Sequence, residues 1–507
     1  MMLRSALMPR CFLMLAAATC CLAAAHAEVT LPKILSSHMV VQRNMPIHVW
    51  GTAAPDESVT VTFHASTGTA KAGPDGRWSV YLPAEPAGGG PYTLTVKGTN
   101  TITLDDILLG DVWIASGQSN MEMPLMGFNG APIKDSEKVI AAATRPEIRL
   151  LFVEKDSSEY PLDDAKAVKG GWSQCTPETA KTFSAAAYFF GLEIQQREKV
   201  PIGLIDTTWG GTPAEAWTSL ETLSSDAGLM QVFAGRAAHM NREASERRYG
   251  EIAKAAVAAG RPAPAPRGWK PDPTSWEPAG LYNAMIAPLT PMPIRGAIWY
   301  QGEANREAGY AETYSRLFPA MIQDWRRQWR QGDFPFLFVQ LSSYSIPGDS
   351  GWGLVRDAQR RTLGLTQTGM AVTLDIGEEK NIHPPDKETV GKRLALAARS
   401  VSYGEKLVAS GPLYRLAYPV GDQMHVWFDE AKGLNAKGGA LTGFELAGTD
   451  GNFVAATAKI EGDTVVVSSP QVAQPKFVRY AWESYSTANL YNGAGLPAST
   501  FTSFPVP

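Results

Sequence analysis

Apolar and polar positions follow three different patterns along the chain. From residue 28 to about 109 they alternate in short runs. Pro46-Ile47-His48-Val49-Trp50-Gly51, Ser58-Val59-Thr60-Val61-Thr62-Phe63 and Pro91-Tyr92-Thr93-Leu94-Thr95-Val96 each read as a strand, and Pro74-Asp75-Gly76 turns into Arg77-Trp78-Ser79-Val80. A period of two, rich in β-branched and aromatic residues and broken by regular turns, predicts a small β-sandwich-like accessory domain over 28–109.

From 110 to about 403 the runs become continuously apolar and alternate with helical segments. Strands are predicted at 111–116, 202–206, 294–300, 336–340 and 371–375, and helices at 185–198 and 387–400. Strands with no polar face, separated by helices, predict an α/β domain with a parallel sheet. Ligand sites in such sheets form at the carboxyl ends of the strands. Residues 222–280 read as an insertion in this domain: 227–259 is helical in composition, and Arg261-Pro262-Ala263-Pro264-Ala265-Pro266 cannot be. It is either a surface excursion or part of a cleft wall. Residues 404–507 return to short strands with turns such as Lys437-Gly438-Gly439 and Asp450-Gly451-Asn452, a β-rich C-terminal region.

The first 27 residues belong to none of these patterns. Arg4 and Arg10 precede an apolar run from Phe12 to Ala25, and Ala25-His26-Ala27 has the spacing of a cleavage site. A signal peptide is expected, with export to the periplasm or the extracellular space and a mature chain starting at Glu28. The run is shorter than the ~20 residues a membrane span needs, so no transmembrane anchor is expected. Three of the four cysteines (Cys11, Cys20 and Cys21) leave with the leader, and Cys175 alone cannot form an intrachain disulfide. The formal charge of −4, with no basic run, argues against nucleic acid as the partner.

Candidate chemistry collects at strand ends. Gly117-Gln118-Ser119-Asn120-Met121 follows the first strand of the α/β zone, where a serine can stand at the sheet edge beside a free backbone N–H. The second glycine of a G-x-S-x-G elbow is missing, which disfavours an α/β-hydrolase. A serine nucleophile needs a base. Of seven histidines, only His383, in Asn381-Ile382-His383-Pro384-Pro385, lies in the α/β zone just after a strand. Ile205-Asp206-Thr207-Thr208-Trp209-Gly210-Gly211 ends in glycines whose N–H groups a ligand could approach. Trp299-Tyr300-Gln301-Gly302-Glu303-Ala304-Asn305 ends in polar groups, among them an amide suited to an oxyanion. Metal-ligand spacings and phosphate-binding loops are missing, so neither a metal nor an organic cofactor is expected.

Four strand ends in the order Ser, Gly, Asn, His have the block order of the SGNH hydrolases. With Ser37-His38-Met39-Val40, Gly110-Asp111-Val112-Trp113, Trp209-Gly210-Gly211-Thr212, Glu215-Ala216-Trp217, Leu281-Tyr282-Asn283-Ala284-Met285, Gly332-Asp333-Phe334-Pro335 and Ala488-Asn489-Leu490-Tyr491-Asn492, the chain resembles the sialate O-acetylesterase family, related to carbohydrate esterase family 6. The resemblance implies a three-layer α/β/α SGNH-hydrolase-like domain over 110–403, flanked by the β-rich regions. It implies an esterase that removes O-acetyl groups from sugars, with sialic acid esters as substrate.

In that reading Ser119 is the nucleophile and His383 the base. The Ser119 N–H, Gly210 or Gly211 and Asn305 form the oxyanion hole, while Gln118 and Glu303 support or contact the substrate. Many SGNH enzymes carry Asp three residues before the histidine; here that residue is Lys380. The histidine is then oriented by Asp375, Glu378, Glu379 or Asp386, or by a backbone carbonyl in a Ser–His dyad. Two other readings remain open: an acetylxylan esterase, and a non-catalytic carbohydrate-binding protein that uses some of the 14 Trp.

Overall fold

A computed structural model describes residues 28–240, 242–263, 273–348 and 351–505. The expected leader and the proline connector from Pro264 onward lie outside the described residues.

Seven strands form the centre: β1 (Thr101–Gly117), β2 (Arg145–Phe152), β3 (Ser173–Cys175), β4 (Ile202–Thr208), β5 (Gly296–Tyr300), β6 (Phe336–Gln340) and β7 (Thr368–Val372). Their order is β7-β6-β5-β1-β4-β2-β3. All neighbours pair in parallel except β2 and β3. After β1 the chain builds one half of the sheet and then crosses to build the other. The carboxyl end of β1 is therefore a topological switch point, where sites form in such sheets.

Helices cover both faces of this sheet. Trp299 and Tyr300 are adjacent on β5, so their side chains point to opposite sides. Trp299 meets Phe318 and Trp325 of helix Tyr314–Trp329. Tyr300 lies under the Lys387 ammonium of helix Lys387–Val401. The three-layer α/β/α architecture expected from the resemblance is what the chain adopts. Gly391 brings that second helix against helix Ala185–Glu198: a Cβ there would come within 2.5 Å of Phe189 Cβ.

The pattern change near residue 110 is real, but it falls inside one strand and not in a linker. β1 alternates buried and exposed positions at its start and is buried without interruption from Ile107 to Gly117. Its first half pairs antiparallel with strand Tyr92–Lys97, and its second half is the middle of the parallel sheet. The single charged residue in the buried half, Asp111, is satisfied by Arg43 (2.8 Å to each carboxylate oxygen), Gln42 (3.1 Å) and Tyr403 (2.9 Å). The strand expected at 371–375 runs instead from Thr368 to Val372. Thr373 leaves it because its hydroxyl bonds the Gln340 carbonyl (2.6 Å), and Asp375 turns to Arg393.

The C-terminal region forms two four-stranded antiparallel sheets. Arg356, fully buried in helix Trp352–Thr362, joins it to the central domain by donating to the carbonyls of Leu341, Ser342, Glu483 and Ser484. In the insertion, helices Ala227–Met240 and Arg242–Ala258 follow the predicted composition. Cys175 is buried, and burial pushes its thiol up to about 12. Among the described residues no helix is long and apolar enough to cross a membrane.

Candidate active site

Three consecutive features bring Ser119 to the sheet edge. Gly117 ends β1 with φ +133°, and a Cβ there would come within 2.3 Å of the Tyr300 carbonyl, so only glycine lets β5 pass so close. The Gln118 N–H then bonds that carbonyl (3.0 Å). A single helical turn, Ser119–Glu122, begins at the serine. As its first residue, Ser119 has an N–H with no acceptor inside the turn.

The Ser119 Oγ lies 2.8 Å from His383 Nε2. These two residues are 264 positions apart and meet because β1 and the loop after β7 open on the same edge. The loop is held by its backbone: the His383 N–H bonds Asn381 Oδ1 (3.0 Å), and the Ile382 carbonyl accepts from Asn120 Nδ2 (2.9 Å). Phe128 packs edge-on to the imidazole at 5.1 Å. Burial, reinforced by the nearby Lys387 ammonium, pushes the imidazole down to about 4. It is therefore neutral at neutral pH, and Nε2 can take a proton from the serine hydroxyl.

Among the described residues no carboxylate lies within ion-pair distance of that imidazole, and each acid named from the sequence is elsewhere. Asp375 forms a two-oxygen pair with Arg393 (2.6 and 2.7 Å). Glu378 accepts from Asn381 (3.0 Å), and Asp386 caps helix Lys387–Val401 through Thr389. Glu379 and Lys380 are exposed.

Of the oxyanion candidates, Gly210 is the one whose contact with the serine is direct. A Cβ on Gly210 would sit 3.2 Å from Ser119 Cβ, so that glycine lies directly against the nucleophile. Its N–H, however, donates to the Glu122 carboxylate, which also takes the Lys155 ammonium (2.5 Å). The next N–H, that of Gly211, has no acceptor among the described residues. Asn305 is fully buried. One of its amide N–H groups goes to Glu215 Oε2 (2.7 Å), and its oxygen accepts from Gln301 (2.7 Å) and from the Ala214 N–H (2.9 Å). Gln118 is buried, with its side-chain oxygen taking the Gly302 and Ala304 N–H groups. It thus ties the serine turn to the β5 exit.

Two buried networks behind the site escaped the sequence reading. In one, Asn120 accepts from the Lys387 ammonium (2.6 Å) and donates to Glu303 Oε1 (2.6 Å) and to the His383 loop. Burial raises the Glu303 carboxyl and pushes Lys387 down to about 7. In the other, Arg236 of the insertion, 1% exposed and stacked on Trp276 and Tyr310, binds Glu215 Oε1 (2.6 Å). The insertion thereby supports Asn305 from behind. Asn120 stands in the serine motif itself and Glu122 directly after it, and both could have been noticed there. Glu215 stands in the Glu215-Ala216-Trp217 motif, whereas Lys387 and Arg236 carry no such signal, because their partners are brought by the fold.

Comparison with known proteins agrees with this architecture. A family described as carbohydrate esterase, sialic acid-specific acetylesterase, matches residues 267–400. Sialate O-acetylesterase of Mus musculus is 34% identical over 417 residues, 75% of this chain and 74% of that protein. The Homo sapiens protein of the same name is 33% identical over 418 residues, 75% and 72% of the two chains. A crystal structure of a carbohydrate acetylesterase from Xanthomonas citri superposes with a TM-score of 0.81 and 39% identity, covering 94% of this chain and 99% of that one. An α/β/α sheet with a serine and a histidine in contact at its switch point, and likeness over three quarters of the chain, lead to one assignment: the chain belongs to the sialate O-acetylesterase family of carbohydrate esterases and is a carboxylic ester hydrolase.

Proposed function

We propose that this esterase removes O-acetyl groups from sugars through a Ser119–His383 dyad and an acetyl-enzyme. The observation that carries the reading is the 2.8 Å contact between Ser119 Oγ and Nε2 of a neutral, half-buried His383. Ser119 Oγ attacks the acetyl carbonyl carbon as its proton passes to Nε2. The tetrahedral oxyanion is met by the Ser119 and Gly211 N–H groups and by the second amide N–H of Asn305, with Gly210 leaving room beside the serine. The imidazolium then protonates the departing sugar oxygen, and water, deprotonated by the same nitrogen, releases acetate.

The names of the relatives suggest sialic acid O-acetyl esters and, more broadly, acetylated carbohydrates; the second ester class to be tried is an acetylated neutral polysaccharide such as xylan. Acetate release measured on both, with Ser119→Ala as the blank, tests the reading. Release from neither would overturn it. The first 27 residues support export to the periplasm or the extracellular space, checked by the N-terminal sequence of the mature protein.

Two further outcomes are expected. A base held near pH 4 acts when deprotonated, so activity is retained on mild acidification and lost only as pH falls through that value. The pH profile of kcat/KM should be level from neutrality to about pH 5.5; a midpoint near the ordinary histidine value of about 6.5 would contradict the assigned environment. Asn305→Ala should lower kcat by about 10²–10³-fold, the usual loss of one oxyanion donor. A loss confined to KM would show that the amide serves only binding.

A further inference from the structure

Away from Ser119 and His383, a cleft of about 1180 Å³ opens between the N-terminal strands and the α/β domain. One wall is the outer face of the paired strands Ile47–Thr52 and Arg77–Leu82. Their inner side chains are buried, and the outer ones carry an aromatic shelf. The His48 ring lies between Tyr81 (centroids 4.2 Å apart, planes 3° apart) and Trp50 (4.7 Å, 21°). His48 is fixed at both nitrogens, by Ser79 Oγ (2.7 Å) and the Pro291 carbonyl (2.8 Å), so the shelf is rigid. His48 and Trp50 line the cleft from this shelf, Tyr81 stands just outside the lining, and Tyr160, also in the lining, is 67% exposed. Large rings left in water around a concave surface mark a binding site.

The charge of the cleft narrows the ligand. Its lining holds four carboxylates (Glu159, Asp163, Asp164 and Glu221) against Lys71 and Arg77. Asp163 is paired with Arg77 and Asp164 with Lys33, which leaves Glu159 and Glu221 against Lys71 as the exposed charges without an ion pair among the described residues, a surplus of one carboxylate. A surplus of carboxylates repels anionic sugars and accepts hydrogen bonds from hydroxyl groups. Flat aromatic rings pack on the C–H faces of pyranoses. One short segment joins the cleft lining to the serine turn. Lys155 binds Glu122 beside the serine, and the step from Lys155 to Glu159 on the cleft rim spans at most about 14 Å of extended chain.

We propose that this cleft binds a run of neutral sugar residues in the same polysaccharide whose acetyl ester is cleaved at Ser119. The inference rests on the sugar-ester reading above, and it favours acetylated neutral polysaccharides over sialylated glycans as substrate.

The test uses the full chain in two arms. In the first, calorimetric titration of Ser119→Ala with xylohexaose should show binding, and 3′-sialyllactose should bind more weakly or not at all. Adding Trp50→Ala or the fully surface-placed Tyr160→Ala to that protein should weaken xylohexaose binding at least fivefold, with an unchanged thermal midpoint. In the second, with Ser119 intact, each cleft variant should lower kcat/KM on acetylated xylan at least fivefold relative to that on 4-nitrophenyl acetate, which is too small to reach the cleft. No binding of xylohexaose, tighter binding of sialyllactose, or an unchanged activity ratio overturns the proposal. A wild-type protein that releases no acetate from any acetylated glycan instead defeats the esterase reading, so the two failures are told apart.

Discussion

Ser119→Ala should reduce kcat/KM for acetyl-ester hydrolysis by roughly 10⁴–10⁶-fold, as removal of a serine nucleophile does in triad enzymes. The reason is local. Ser119 Oγ is the hydroxyl in contact with the histidine, and among the described residues no other hydroxyl is hydrogen-bonded to that ring. The side chain points toward its histidine partner and away from the core, so the variant should fold. An unchanged thermal midpoint separates lost chemistry from lost structure. Mass spectrometry of wild-type protein quenched during turnover should show one added acetyl group, absent in the variant. Retention of more than a hundredth of the activity in Ser119→Ala would place the nucleophile elsewhere.

His383→Ala should cost about as much, because Ser119 at neutral pH then keeps its proton. The geometry adds a sharper expectation. Asp375, Glu378, Glu379 and Asp386 are each engaged elsewhere or exposed, so replacing them singly with Ala should leave activity within about threefold. Asp386→Ala should also lower the thermal midpoint, since it removes a helix cap usually worth about 1 kcal/mol. Exposed Lys380 should be replaceable without loss. A drop of several orders of magnitude in any one acid variant, with the fold intact, would mean that its carboxylate reaches the imidazole during turnover and that the dyad is a triad.

In the proposed dyad the free base is neutral, while its surroundings oppose the imidazolium that forms as it takes the serine proton. A carboxylate beside His383 would raise its pKa and favour the imidazolium. Burial and Lys387 do the opposite and keep the ring neutral. The backbone of the histidine loop is held by two side chains instead, Asn381 Oδ1 on the His383 N–H and Asn120 on the Ile382 carbonyl. Asn120 is positioned by the buried Glu303 and Lys387, so the residues around the serine turn and the histidine loop form one connected unit.

Local pattern determined much of this protein. Period-two alternation marked the N-terminal strands, and continuous apolar runs marked the parallel sheet. Both signals arise within a few residues, from which faces of a strand are buried. Ser119, His383, Gly210 and Asn305 could be named because strand ends in a parallel sheet share one edge, and a chain with few histidines leaves few bases. Contacts between distant positions were decided only by the tertiary structure. β1 belongs to two pairing schemes at once, so a change of pattern that reads as a boundary is one continuous strand. Four acids near His383 in sequence are turned away from it by Arg393, Asn381, Thr389 and solvent. Lys387 and Arg236 become parts of the site through Asn120 and Glu215, partners supplied by chain folding. Sequence proximity constrains only the next few residues, whereas the electrostatics of a buried group depend on every element packed around it.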